Sequence, residues 1–366
     1  MQHMSVGLRA AGSQAAQAAT ALTAPALPEP ATSATFDDSP CDEWTGMAAA
    51  DAEPPLKCGV LWFLHIPKTG GTTLMNHFHK NGGGGFDRGL GGWRYANMWK
   101  NPVPAEERGA PGASHQWATW NVSKKWTNVV LDELKQPKPK LIVHAHHNMP
   151  GLADPYMRDV VLRPMAKSMR SKGCEVRFAT VLREPVAEIV SLMLFRHVPR
   201  EKFVKSVRQN SEAMSKYLLY NFWTQWPAIY QQAPPTDEEG EELLHAAQDV
   251  LRNFSLVGRT EQLDVFVTNV NRMLGWPEDL TAPAANVAPW KDGKEAEFSS
   301  RWRPWDPNED ELRAVREANV FDSHLYHSFC ATNGTAAERL ATALVARTVP
   351  ARANGLALLE SVLGSR

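Results

Sequence analysis

The stretch that decides the fold is CGVLWFLHIPKTGGTTLMNHFHK, residues 58–80. Cys58 to Ile66 is a short apolar run with β-branched and aromatic residues, the pattern of a strand buried on both faces of a parallel sheet. PKTGG (67–71) interrupts the run, and TTLMNHFHK (72–80) resumes as a helix opened by Thr72. Strand, glycine turn and helix start together make an anion cradle. Free N–H groups and the positive end of the helix dipole converge on one spot, and Gly70 and Gly71 let the main chain approach a ligand closely. Thr69, Thr72 and Thr73 add hydroxyls, and Lys68 adds a point charge. The lysine precedes the glycines, so the pattern GxxxxGK[ST] is not met here. Nor is it met elsewhere, since Gly293-Lys294 is followed by Glu295. That spacing argues against an ATPase or GTPase.

Outward from this core, LIVHA (141–145) and EVRFATVL (175–182) read as two more buried strands. A helix is expected over 184–197, with Pro185 in the first turn where proline is tolerated. A long helical region follows over 208–231, carrying Tyr217, Tyr220, Trp223 and Trp226 at helical spacing. Residues 255–275 read as strand, turn and helix, stopped by Gly275. Further helices are expected over 309–329 and, rich in Ala and Leu, over 336–363. Residues 81–128 have no clean period and read as a long excursion. Strands alternating with helices predict an α/β fold, a P-loop-like parallel sheet of about four or five strands flanked by helices. The expected organisation is a single catalytic domain over 56–333 and a helical extension over 334–366. Residues 1–55, rich in Ala, Ser, Thr and Pro, bury too little apolar surface to offset their ordering entropy and read as a disordered tail or stem. That segment has Arg9 but no clear apolar core of a signal peptide, which leaves a transit-like leader or a truncated anchor and stem.

Composition narrows the function. Of 366 residues, 43% are hydrophobic and 22% charged, which supports a sizeable core. Lys and Arg number 39 against 40 Asp and Glu, so no global basic field draws the chain to nucleic acid. No apolar run reaches the roughly 18 residues of a membrane span. Cys41, Cys58, Cys174 and Cys330 lie far apart without a CxxC pair, so zinc-ribbon and thioredoxin-like sites are excluded on spacing. The even count permits two disulfides or four free thiols. Cys58 and Cys174 each sit at the start of a predicted parallel strand, so both should lie at the same edge of the sheet, within disulfide range if those strands are neighbours.

Two further motifs carry chemistry. In VLREPVAEIVS (181–191), Arg183 stands at the C-terminal end of a strand and Ser191 about two turns along the next helix. Open α/β sheets bind ligands at strand C-terminal ends, and a guanidinium fork with a hydroxyl suits a phosphate monoester. In VHAHHNMPG (143–151), three histidines fall in four positions without a carboxylate or cysteine at ligand spacing, so a base fits better than a metal site. Alternation along a strand points His144 and His146 to one face and His147 to the other.

FLHIPKTGGTTL resembles the 5′-phosphosulfate loop of the sulfotransferases that use 3′-phosphoadenosine-5′-phosphosulfate (PAPS), particularly their Golgi carbohydrate branch. Arg183 and Ser191, eight residues apart with Pro185 two after the arginine, resemble that family's 3′-phosphate motif. His144-Ala145-His146 is similar to the H-G-H stretch of the uronyl 2-O-sulfotransferases, with Ala replacing Gly. LVGRTEQLDVFVTNVNRMLG (256–275) and ELRAVREANVFDSHLYHSF (311–329) resemble its C-terminal half more weakly, so the likeness spans about 57–330.

The resemblance implies sulfuryl transfer from PAPS to an acceptor hydroxyl, most simply on a carbohydrate, with no metal and no nucleic-acid partner. It implies His146 as the general base with His144 in support, and Lys68 neutralising charge on the departing phosphate oxygen. Lys68, Thr69, Gly70, Gly71, Thr72 and Thr73 would hold the 5′-phosphosulfate, and Arg183 and Ser191 the 3′-phosphate. Lys291 or Lys294 reads either as a further phosphate contact or as a solvated surface lysine. Trp93, Trp99, Trp117, Trp120 and Trp126 fall on the acceptor side, where they suit sugar rings or pack beneath a long loop. A Golgi or secretory location follows from the family, a cytoplasmic one from the lack of a visible anchor, and the sequons at Asn121, Asn253 and Asn333 decide nothing. A sulfotransferase of small alcohols, a small-molecule kinase and an inactive carbohydrate-binding relative are the alternatives.

Overall fold

The computed structural model describes residues 43–44, 54–84, 87–98, 124–145, 151–152, 157–219, 235–282 and 306–331. Two short strands, β1 (Glu43–Trp44) and β7 (Cys330–Ala331), pair antiparallel, with Glu43 opposite Ala331 and Trp44 opposite Cys330. The main sheet has five strands: β2 (Gly59–Leu64), β3 (Arg94–Met98), β4 (Lys140–Ala145), β5 (Glu175–Leu182) and β6 (Leu256–Arg259). Their order is β3-β4-β2-β5-β6, and all four pairings are parallel. Every residue of β2 is buried, as its unbroken apolar run requires. From β2 the chain builds β3 and β4 on one side, then crosses to build β5 and β6 on the other. The crevice at the C-terminal ends of β2 and its neighbours is therefore the place where such a sheet takes a ligand.

Ten α-helices are described: α1 (Gly71–Asn81), α2 (Lys124–Leu134), α3 (Arg163–Ser171), α4 (Pro185–Phe195), α5 (Phe203–Gln209), α6 (Ala213–Leu219), α7 (Asp237–Leu251), α8 (Leu263–Leu274), α9 (Glu309–Ala318) and α10 (Val320–His327). Helix α4 starts where its sequence dictates. Pro185 occupies the first turn, and the Glu184 carboxylate accepts from the Val186 and Ala187 N–H groups at 2.9 and 2.7 Å. Capping boxes Thr236/Glu239 and Asn308/Glu311 open α7 and α9. Gly275, at φ 66°, closes α8. No helix among the described residues is long and apolar enough to cross a membrane.

Several expectations are corrected. The continuous helix expected from 208 is interrupted at 210–212, between α5 and α6, and the helix expected over 309–329 is interrupted at Asn319, between α9 and α10. Both breaks have one cause. The Glu212 carboxylate accepts from the Phe321 and Asp322 N–H groups at 3.2 and 2.5 Å, capping α10. The Asp322 carboxylate in turn accepts from the Met214 and Ser215 N–H groups at 2.8 and 2.9 Å, capping α6. Each acid supplies the other helix with acceptors for its otherwise unpaired N–H groups.

The 81–128 excursion contains β3, which pairs with β4, and the start of α2. It is clamped by the buried Glu133, whose carboxylate accepts from Arg88 at 3.1 and 2.7 Å and from the Lys140 N–H at 2.9 Å. Trp93 is buried, and its indole N–H donates to the Leu274 carbonyl at 2.9 Å, so this tryptophan packs the core and is not offered to an acceptor. Within the expected N-terminal tail, Glu43 and Trp44 take part in a strand pair. Cys58 and Cys174 form a disulfide, Cα to Cα 5.1 Å, just ahead of the paired residues Gly59 and Glu175. Cys330 is also disulfide-bonded. The expected helix over 336–363 lies outside the described residues.

Candidate active site

The loop between β2 and α1 forms at the crevice the sheet order selects. His65 extends β2, its N–H donating to the Ala145 carbonyl at 2.9 Å. The chain then turns through Lys68 and Gly70, whose φ angles of 64° and 87° are left-handed. Gly70 accepts this conformation freely, whereas a lysine held there stores strain of the kind that collects at ligand sites. Gly71 begins α1 because the His65 imidazole lies where a side chain at 71 would have to be. Gly70, at the N-cap, has no side chain to cap α1, and the first turn of the helix holds no acidic residue. By contrast, α7 and α9 each carry a capping box and three acids in the first turn. Among the described residues, the start of α1 therefore has neither an N-cap side chain nor a first-turn acid to meet its dipole.

The threonines divide. The Thr69 hydroxyl is fully buried and donates to the Ile66 carbonyl at 2.8 Å, which fastens the loop. Thr73 is buried and Thr72 exposed at the start of α1. Lys68 is half-buried, with its ammonium 4.4 Å from the centre of the Phe195 ring. Burial, then the Arg183 charge, push its pKa below the ordinary lysine value, against a pull upward from Glu188.

Arg183 joins the second motif to the first. It leaves the C-terminal end of β5 half-buried and donates to the Lys68 carbonyl at 3.0 Å. Ser191 is half-buried on α4. Glu188, Ser191 and Phe195 recur on one side of that helix at helical spacing. Glu188 was not anticipated from the sequence. It is fully buried, and among the described residues neither carboxylate oxygen has a hydrogen-bond partner. Burial and then the Asp322 charge push its carboxyl up to about 8, against Arg183, Arg196 and Lys68. One sign of it was present: position 188 belongs to the stripe Pro185, Glu188, Ile189, Leu192 and Met193 that α4 buries.

The histidine strand also departs from expectation. His144 is fully buried, hydrogen-bonded through Nδ1 to the Tyr95 hydroxyl at 3.0 Å and stacked on His65 with ring centres 5.0 Å apart. It faces a ladder of rings across β3, β4 and β2 and is not open to an acceptor. Burial pushes the Tyr95 phenol far up, so it stays protonated. His65, absent from the sequence-based assignment, is the member of this ladder that meets the start of α1. His146 and His147 lie outside the described residues, as do Lys291, Lys294, Trp99, Trp117 and Trp120.

No protein-family model matches the chain, and no curated protein matches it. Among solved structures, it is similar to the crystal structure of mouse sulfotransferase SULT7A1 complexed with PAP. That likeness covers 87% of this chain and 95% of the other at 10% identity, with a TM-score of 0.29. At that score it lends no weight to a functional assignment.

Proposed function

We propose that the protein is a PAPS-dependent O-sulfotransferase acting on an acceptor hydroxyl, with a carbohydrate as the favoured acceptor. One observation carries the reading: the Arg183 guanidinium donates to the Lys68 carbonyl, and this contact between the two motifs supports reading them as one anion site. A nucleotide bearing phosphate at both ends matches two such motifs better than a simple triphosphate does. In this reading the uncapped start of α1, with Gly70, Gly71, Thr72, Thr73 and the N–H of Thr69, holds the 5′-phosphosulfate. Arg183 and Ser191 hold the 3′-phosphate, the arginine by its planar fork.

Transfer needs the sulfur presented in line to the acceptor oxygen and charge neutralised on the bridging oxygen it leaves. Lys68 serves the second need. Its lowered pKa keeps the ammonium ready to give up a proton or share it with the departing phosphate. His146 takes the acceptor proton, and the buried His144–Tyr95 pair fixes the strand that carries it. The Cys58–Cys174 disulfide supports an oxidising, secretory location.

Binding separates this reading from a P-loop kinase. Calorimetric titration with adenosine 3′,5′-bisphosphate should show metal-independent binding that ATP with Mg²⁺ does not compete away. Binding of ATP–Mg²⁺ without binding of the bisphosphate would replace it.

A further inference from the structure

Among the described residues, Glu188 is a buried charge-bearing group with no hydrogen-bond partner, within electrostatic reach of Lys68 and Arg183. It is the fourth residue of α4 and fully buried, with neither oxygen hydrogen-bonded to any described residue. An ionised carboxylate so placed costs several kcal/mol unless nearby charge compensates it or it takes a proton. Helical side chains lean toward the N-terminus of their own helix, here the end where α4 meets Arg183 and the phosphate loop.

The groups that act on it come from every side. Lys68 of the loop, Arg183 at the end of β5 and Arg196 just past α4 attract it, and Asp322 of α10 repels it. Behind Asp322 stand the buried Glu212 and Lys216. Lys68 and Arg183 are the cations that the proposed function gives to the nucleotide. A phosphate arriving there would share them with an ionised Glu188 in a medium too dry to screen two like charges.

We propose that Glu188 is the proton acceptor of the anion site, serving as counter-ion to Lys68 and Arg183 before a nucleotide phosphate arrives and taking a proton from solvent when the phosphate replaces it. The inference rests on the bisphosphate reading above. Because burial pushes the carboxyl up to about 8, the exchange falls around pH 8 and above. The bound state holds the extra proton, so nucleotide affinity declines as pH rises through this range.

The test is calorimetric titration of the full chain with adenosine 3′,5′-bisphosphate at pH 8 and pH 9, in buffers of differing ionisation enthalpy. Phosphate monoesters are fully ionised there, their second pKa being about 6, so the ligand contributes no protons. The slope of heat against buffer enthalpy should report uptake of about half a proton at pH 8 and more at pH 9. Glu188→Gln should abolish the uptake and bind the bisphosphate about 3–10-fold more tightly than the parent at pH 9. Binding without uptake in the parent chain overturns the role of Glu188 and leaves the sulfotransferase reading standing. Uptake that persists in Glu188→Gln assigns the proton to Lys68 and equally overturns it. Failure of the bisphosphate to bind at all removes the reading beneath it, and the inference with it.

Discussion

The imidazole of His65 occupies the space that a side chain at Gly71 would need. The last residue before the glycine loop thus dictates the first residue after it. Gly71→Ala should force the ring out and shift the loop. Overpacking of this kind costs about 1–3 kcal/mol. A melting curve should show that loss, and titration with adenosine 3′,5′-bisphosphate should show binding weakened by about tenfold or more. The double variant His65→Ala/Gly71→Ala should recover much of the stability. No recovery would mean that His65 is not what makes residue 71 a glycine.

Arg183→Lys keeps the charge and loses the fork. It should weaken adenosine 3′,5′-bisphosphate by about 1–3 kcal/mol, the scale of hydrogen bonds to charged groups. Adenosine 5′-phosphate, which lacks the 3′-group, should be nearly unaffected. Equal losses for both nucleotides would show that Arg183 supports the loop through the Lys68 carbonyl and does not read the 3′-phosphate.

Glu212 and Asp322 cap each other's helices and are both fully buried. Glu212→Ala and Asp322→Ala should each lower stability by about 2–4 kcal/mol, since each strips acceptors from buried N–H groups. The double variant should lose clearly less than the sum, because the two caps share one junction. Strict additivity in denaturant unfolding would show that the caps act independently.

The buried Glu188 makes a signed prediction about pH. Its carboxyl has an ordinary value of 4.5 and rises to about 8 in the fold. The stability that the neutral form confers is therefore complete below 4.5 and is lost as pH climbs toward 8. Glu188→Gln stays neutral throughout. Its stability relative to the parent should grow across this window by up to about 1.4 kcal/mol per pH unit, then level off. Taking the difference between variants cancels the opposite slope from His77 and His324, whose burial pushes them below the ordinary histidine value. A constant difference from pH 5 to pH 8 would show that Glu188 does not titrate abnormally.

Much of this architecture was legible because its signals are local. EVRFATVL, residues 175–182, coincides with β5, and the apolar run, glycine turn and helix around 58–80 coincide with β2, the loop and α1. From those strands alone, Cys58 and Cys174 could be placed at one sheet edge, and they are bonded. What was not legible is tertiary. RYANM, now β3, is short and half polar, and it is a strand because β4 and Glu133 receive it. The breaks at 210–212 and at Asn319 carry no proline or glycine, since the acid that caps each helix lies more than 100 residues away. Of the candidate site, the loop and Arg183 were picked out by motif, and the hydrogen bond between Arg183 and the Lys68 carbonyl brings them together. The bond from the Thr69 hydroxyl to the Ile66 carbonyl and the burial of His144 against Tyr95 were not visible, because a hydroxyl's partner and a strand end's burial are set by tertiary packing.

Transfer itself is the most direct measurement. The full chain should be incubated with ³⁵S-labelled PAPS and a panel of uronic-acid polysaccharides, neutral polysaccharides and small alcohols. The account predicts label moved covalently onto a hydroxyl-bearing acceptor, strongest among the polysaccharides. That transfer should be lost in Lys68→Ala and lowered about 10²–10⁴-fold in His146→Ala, the span expected of a general base. Tight binding of the bisphosphate with no transfer to any acceptor, or transfer undiminished in Lys68→Ala, would contradict it.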